Sequence, residues 1–286
     1  MSKRADYIER IEIKGLWGRR NVTWDLNPDV NILSGINGIG KSTIINMAVG
    51  ALQQLTNASL SEKIKAEVNI TFTPDDATYI PFNVIRSFDR PLLHTDLLEK
   101  LADSRVKTEL DWQLYQLQRQ YLDYQVNVGN RMIELLQSSS ADDREKATEL
   151  SKSKALFQDI VDSLFKDTHK TIDRRSNEIV LIQADERLEP YCLSSGEKQM
   201  LVILLTVLIQ DYKHCVLLMD EPEVSLHIEW QQQLISLVRQ LNPNVQIVLT
   251  THSPAVIMNG WMDKVTEVSD ISEDPLIDKG ENSNNG

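Results

Sequence analysis

Cysteine is scarce: Cys192 and Cys215 are the only two in 286 residues, in neither a metal-binding nor a redox spacing. Reduced thiols in a cytoplasmic protein are the expected state. The five histidines, His94, His169, His214, His227 and His252, show no metal-site spacing. No run of about 18 apolar residues occurs, so no membrane-spanning helix is predicted. The N-terminus, MSKRADYIERIEI, lacks the apolar stretch of a secretory signal. A basic excess is missing as well. The net charge is −12, which argues against nucleic-acid binding over a broad surface and leaves room only for a local basic patch. The chain from Asp263 onward is rich in acids, and residues 271–286 are expected to be a disordered acidic tail.

Glycine and proline are also nearly absent from about Asp96 to Lys170, where Gly129 stands alone. Apolar residues recur there at helical spacing, at Leu110, Leu114, Leu117 and Tyr121, then at Met132, Leu135 and Leu136. The run QSSSADD (Gln137 to Asp143) predicts a break between two helices. A helical hairpin or small lobe is expected, with arms of at most about 50–60 Å that break into shorter pieces. No strict heptad persists, which disfavours a long coiled coil.

Either side of this stretch, strands and helices alternate. Tyr7 to Ile13 and Asn21 to Leu26 form a predicted hairpin around Gly15 and Gly18, and Asp29 to Leu33 is a short apolar strand. Further strands are predicted over Lys65 to Thr73, Phe82 to Phe88, Ile179 to Gln183, Cys215 to Met219, Val245 to Thr250 and, last, Val265 to Val268. Apolar runs such as CVLLM and QIVLT suit the centre of a parallel sheet covered on both faces. Helices are predicted after Lys41, after Gly196 and over Glu229 to Leu241.

Four motifs sit within this alternation. The first, GINGIGKS (Gly35 to Ser42), follows a strand and opens a helix. Its glycines let the backbone wrap closely enough for several N–H groups to face phosphate oxygens, and the helix adds its positive N-terminus. Gly35, Asn37, Gly38, Gly40, Lys41, Ser42 and Thr43 are the candidate phosphate cradle. Within it Lys41 serves the β- and γ-phosphates and Ser42 serves Mg²⁺. The second, VLLMDEP (Val216 to Pro222), delivers Asp220 to hold Mg²⁺ and Glu221 to activate a water at the carboxyl end of a strand. The third, TTHSP (Thr250 to Pro254), ends the neighbouring strand with His252 within reach of the γ-phosphate and the water.

The fourth, LSSGEKQ (Leu193 to Gln199), places Ser194, Ser195 and Gly196 at a helix N-terminus. An N-cap serine with a glutamate three residues on accounts for this sequence in isolation. A second anion cradle is the alternative, and one chain already has its cradle for this nucleotide. The motif then makes sense closing over ATP bound to another subunit.

Together the motifs resemble an ABC-type ATPase head, with Walker A, signature, Walker B, D-loop and H-loop. EPEVSLHIEWQ (Glu221 to Gln231) and TTHSP are similar to the RecF/SMC-like and OLD-like branch, which includes ATPases of bacterial antiphage systems. Transporter subunits typically carry a D-loop of the SALD kind. The resemblance covers about 5–95 and 175–270 and leaves the helical stretch unexplained.

It implies an α/β head with an N-terminal antiparallel β subdomain, a mainly parallel P-loop core sheet and a helical insert. The boundaries expected are a single ATPase domain over 1–270, with lobes 1–95 and 175–270 and the insert at 96–174. The resemblance also implies Mg²⁺-dependent ATP hydrolysis in a head-to-tail homodimer or higher oligomer. Each site there combines Lys41, Ser42, Asp220, Glu221 and His252 of one subunit with Ser194 and Gly196 of the other. No nuclease-like segment is appended, so the ATPase is expected to switch or scaffold a separate effector, a nuclease being one candidate, in antiphage defence. A DNA-repair or chromosome-maintenance head is the alternative, and a transporter subunit comes third. Two features depart from the family pattern. Ser195 replaces a glycine, and RSFDRP lacks the usual Q-loop glutamine, leaving Asp89 as the nearest polar residue. Trp17 is equally a candidate to stack on adenine or to pack within the hairpin.

Overall fold

The computed structural model describes residues 2–56, 67–86, 105–138 and 140–273. Asp89 and the tail from Asp274 lie outside the described residues, as do the ends of two predicted strands at Lys65 and Phe88.

The strands β1 (Tyr7–Leu16) and β2 (Arg20–Asp25) form the expected antiparallel hairpin. With β4 (Glu67–Thr73) and β12 (Ser272–Glu273) they make a four-stranded sheet in the order β12-β2-β1-β4. The core sheet is parallel throughout, in the order β11-β3-β10-β9-β5. Its strands are β3 (Val30–Ser34), β5 (Phe82–Arg86), β9 (Cys215–Asp220), β10 (Val245–Thr250) and β11 (Val265–Glu267). The sequence predicts β11 as the last strand. The chain instead continues into β12, which returns to the edge of the antiparallel sheet and is too short to show an alternating pattern.

Period-two geometry explains why the central strands are apolar without interruption. Cys215, Leu217 and Met219 of β9 point into one core with Val245, Ile247 and Leu249 of β10. Val216, Leu218 and Val248 point into the other. The second core lies under α1 (Lys41–Thr56) and the antiparallel sheet, through Ile8, Ile11, Trp24, Ile44 and Leu52. Buried Gln246 of β10 stitches these layers. Its amide accepts from Ile8 N–H at 2.8 Å and donates to the carbonyls of Ile8 and Asn27, both at 2.8 Å.

The first core is covered by four helices: α2 (Glu109–Gln137), α3 (Ala141–Leu164), α4 (Ser195–Leu208) and α5 (Ile228–Leu241). The predicted break falls between α2 and α3, but neither arm is fragmented. At 1.5 Å per residue, 29 and 24 residues make continuous helices of roughly 43 and 36 Å. A stretch with one glycine and no proline has nothing to interrupt it. Thr108 and Asp111 start α2 with a reciprocal capping box.

Burial along α2 runs through Leu110, Leu114, Leu117, Tyr121, Tyr124 and Val128 and then stops. The predicted apolar position Leu136 is exposed. The insert is thus no separate lobe: α2 and α3 pack against each other and onto α4. A buried ion pair at 2.8 Å ties Lys198 of α4 to Asp111 of α2. The end of the predicted helical stretch is also corrected. Lys170–Ile172 forms β6, which pairs with β7 (Leu181–Gln183), and β7 pairs with β8 (Glu186–Leu188). Three-residue strands are too short to overturn a helical pattern in sequence.

Candidate nucleotide site

The carboxyl ends of β3, β9 and β10 lie side by side, with Thr250 opposite Asp220 and Leu33. This shared edge positions three of the four motifs. Leaving β3, the chain turns through Gly35, Gly38 and Gly40 at φ of 147°, 79° and 113°, and α1 begins at Lys41. Such angles strain a side-chain-bearing residue, which is why the loop needs glycines. Asn37 and Gly38 are exposed at its tip, while Ser42 and Thr43 enter the first turn of α1. Trp17 lies over the loop itself: a Cβ at Gly40 would come within 2.7 Å of its ring. Trp17 thus packs against the loop rather than within the hairpin, and half of its surface stays exposed.

Lys41 is buried, and its ammonium donates to the carbonyls of Gly35 at 2.9 Å and Ile36 at 3.3 Å. Burial pushes its pKa down, and the carboxylates of Glu221, Asp220 and Glu223 oppose that shift. The lysine thus sits buried near three carboxylates, its ammonium held by two loop carbonyls.

Asp220 is the hub of the edge. Its Oδ1 accepts from Ser42 Oγ at 2.9 Å and from Thr250 Oγ1 at 2.6 Å. Thr250 Oγ1 in turn accepts from Glu221 N–H at 3.0 Å. That bond helps hold Glu221 at φ 48°, a left-handed conformation rare for a residue with a side chain. His252 Nε2 lies 3.3 Å from Glu221 Oε1. Ser42, Asp220, Thr250 and Glu221 are therefore joined by hydrogen bonds beside Lys41, with the His252 ring next to Glu221. Ser42 and Asp220 present hard oxygen donors, one hydroxyl and one carboxylate. That set fits Mg²⁺, which is bound through few carboxylates plus phosphate and water.

The residues of LSSGEKQ occupy the N-terminus of α4. Ser194 is its N-cap, and the capping box is complete: Ser194 N–H and Oγ donate to Glu197 Oε2 at 3.0 and 2.9 Å. Lys170 meets the other oxygen of Glu197 at 2.8 Å. Desolvation raises the Glu197 pKa, but the bonds from Lys170 and Ser194 outweigh it and hold the carboxyl below its usual range. Ser194 and Ser195 remain exposed. Gly196 fits where no other residue does, since a Cβ there would lie 2.4 Å from the carbonyl of Ser225 in the loop after β9.

Three residues without a role in the sequence reading belong to this region. Thr250 bridges Asp220 and Glu221, Glu223 is buried beneath His252, and Gln231 links the loop after β9 to Ser253. All three lie inside the quoted motifs; Thr250 and Glu223 are buried polar residues and Gln231 is half-buried.

A family model described as "AAA ATPase domain" matches residues 91–257, more than half of the chain. It begins beyond the Walker A loop and runs through α2 and α3, which corrects the expectation that the family resemblance leaves the insert aside. The chain is 24% identical to the Septu protein PtuA of Bacillus thuringiensis over 319 aligned positions, spanning 93% of this chain and 76% of that protein. It is 22% identical to the Retron Vc95 probable ATPase of Vibrio cholerae serotype O1 biovar El Tor, over 60% of this chain and 35% of that one. Among solved structures, an Smc head bound to the C-terminal winged-helix domain of ScpA superposes with a TM-score of 0.51. It is 15% identical, with 88% and 91% of the two chains covered, and so shares the fold. No described helix is long and apolar enough to cross a membrane. With the Walker edge assembled on an SMC-head fold and the match running from the insert to β10, the chain belongs to the AAA ATPase domain family.

Proposed function

We propose that the protein hydrolyses ATP with Mg²⁺ at composite sites between two copies, and that this cycle controls a separate effector in antiphage defence. The single observation that carries the reading is the set Ser42–Asp220–Thr250–Glu221–His252 beside buried Lys41. Loop N–H groups and the start of α1 receive the phosphates, and Lys41 exchanges its loop carbonyls for phosphate oxygens. The metal, held by Ser42 and Asp220, neutralises charge on the phosphates when bound. Glu221 takes the proton of the attacking water, and His252, at its side, orients that water and the γ-phosphate. Ser194, Ser195 and Gly196 supply a helix N-terminus to the partner's nucleotide.

The proposed organisation is one ATPase domain that runs through β12, with a helical insert that ends before β6. Septu PtuA and the Vc95 ATPase carry system names, and it is this likeness that supports a defence role. Support for the composite site comes from the exposed serines of α4. The test mixes a Lys41→Ala chain with a Ser194→Arg chain. Each homodimer should be inactive, and heterodimers with one intact site should regain turnover. No regain would refute the shared site.

A further inference from the structure

Glu223 lies in the loop after β9, only 7% exposed. Placing a carboxylate there is costly unless its oxygens are used. One oxygen is used fully: Oε1 accepts from Thr251 Oγ1 at 2.5 Å and from the His252 main-chain N–H at 3.0 Å. The other has no hydrogen-bond partner among the described residues. A parallel strut runs alongside. Gln231 Nε2 donates to the carbonyls of Leu226 at 2.6 Å and Glu223 at 3.3 Å, while its Oε1 accepts from Ser253 Oγ at 2.6 Å. Both struts join the same two loops, 221–226 and 251–253. Between them stands His252, whose ring meets Glu221 at 3.3 Å. Without Glu223, nothing else described bonds to the His252 N–H, and the imidazole loses its fixed base.

We propose that Glu223 is a positioning residue for hydrolysis, a buried acceptor that pins the Thr251–His252 main chain so that the imidazole stays on Glu221. The inference rests on the role given to His252 above. What the site needs from Glu223 is an acceptor oxygen, so the neutral isostere should serve.

The experiment compares Glu223→Gln and Glu223→Ala in the full chain, each alone and combined with His252→Ala, with steady-state turnover and ATP affinity measured on every variant. Small displacements of a catalytic group cost up to about 10²-fold. Glu223→Ala should therefore lose about 10–100-fold in kcat with ATP affinity within about threefold, while Glu223→Gln stays within about threefold of wild type. On a His252→Ala background, Glu223→Ala should cost little more. Any of three results overturns the proposal: Gln losing as much as Ala, full additivity with His252→Ala, or wild-type turnover in Glu223→Ala. Amide hydrogen exchange reads the pin without turnover. The His252 N–H should exchange at least about tenfold faster in Glu223→Ala while the amides of β9 and β10 are unchanged, the mark of local rather than global opening. Unchanged exchange at His252 refutes the pin. Wild-type turnover in His252→Ala alone refutes the histidine's role instead. If Glu223→Ala does not fold, Thr251→Val removes one of the two donors, and the same exchange measurement decides.

Discussion

The strand edge at the start of α1 and the N-terminus of α4 both place serine hydroxyls at a helix start, yet they are finished to different degrees. At the edge, groups from the start of α1 and the ends of β9 and β10 hold one another: Asp220 takes Ser42 and Thr250, and Glu221 leans on Thr250 and lies beside His252. At α4, Ser194 spends its hydrogen bonds on Glu197, and its hydroxyl remains at the surface with Ser195. The first region is a set of polar groups already held in place by one another. The second is a stable helix end whose chemistry needs something brought to it. A preorganised edge loses activity when cut and little stability, whereas a helix end loses stability first and activity only if a partner uses it.

The largest expected effect cuts the edge. Glu221→Gln should bind ATP and lose turnover by about 10²–10³ or more, the usual cost of one well-placed catalytic group. It should also accumulate as ATP-bound dimers in light scattering. Near-wild-type turnover rules Glu221 out as the base. Lys41→Ala should lose nucleotide binding or turnover, measured by a fluorescent-nucleotide titration and phosphate release.

Next comes the contact between the two regions. Gly196→Ala drives a methyl into the Ser225 carbonyl, and overpacking of this kind costs about 1–3 kcal/mol. Urea denaturation measures it, and an unchanged midpoint would show that the loop after β9 yields freely.

A smaller change separates cap from cradle. Ser194→Ala should cost about 1 kcal/mol as a lost N-cap and should also reduce turnover in the dimer. Loss of stability with full turnover would make α4 a capped helix and nothing more.

The smallest effect is acid sensitivity at the same helix end. The Glu197 pKa is lowered in the folded chain, so its contribution is complete above the unfolded value and disappears as pH falls through the folded one. Glu197→Gln should flatten the stability profile below about pH 4.5. An unchanged slope would assign that acid sensitivity to other carboxylates.

Much of the edge was legible in the sequence because its parts are local. A glycine run between strand and helix, an acid pair ending an apolar strand, and a histidine ending the next one each carry their context within ten residues. Glu223 and Gln231 were not legible, since nothing in EPEVSLHIEWQ says which acid is buried or what lies across from it. The helical stretch was recognised as helical for want of glycine and proline. Its packing on α4 was missed, because the Lys198–Asp111 pair joins residues far apart in sequence. Trp17 shows the same limit: only the folded hairpin laid its ring on Gly40.

By itself, the sequence determined the P-loop, the apolar central strands and the break between α2 and α3. Backbone conformation and side-chain period are set by neighbouring residues. Tertiary structure decided which carboxylate became the hub, which was buried as an acceptor, and that the insert shares the core of the sheet. Those outcomes depend on register between parallel strands and on long-range burial, which no local pattern encodes.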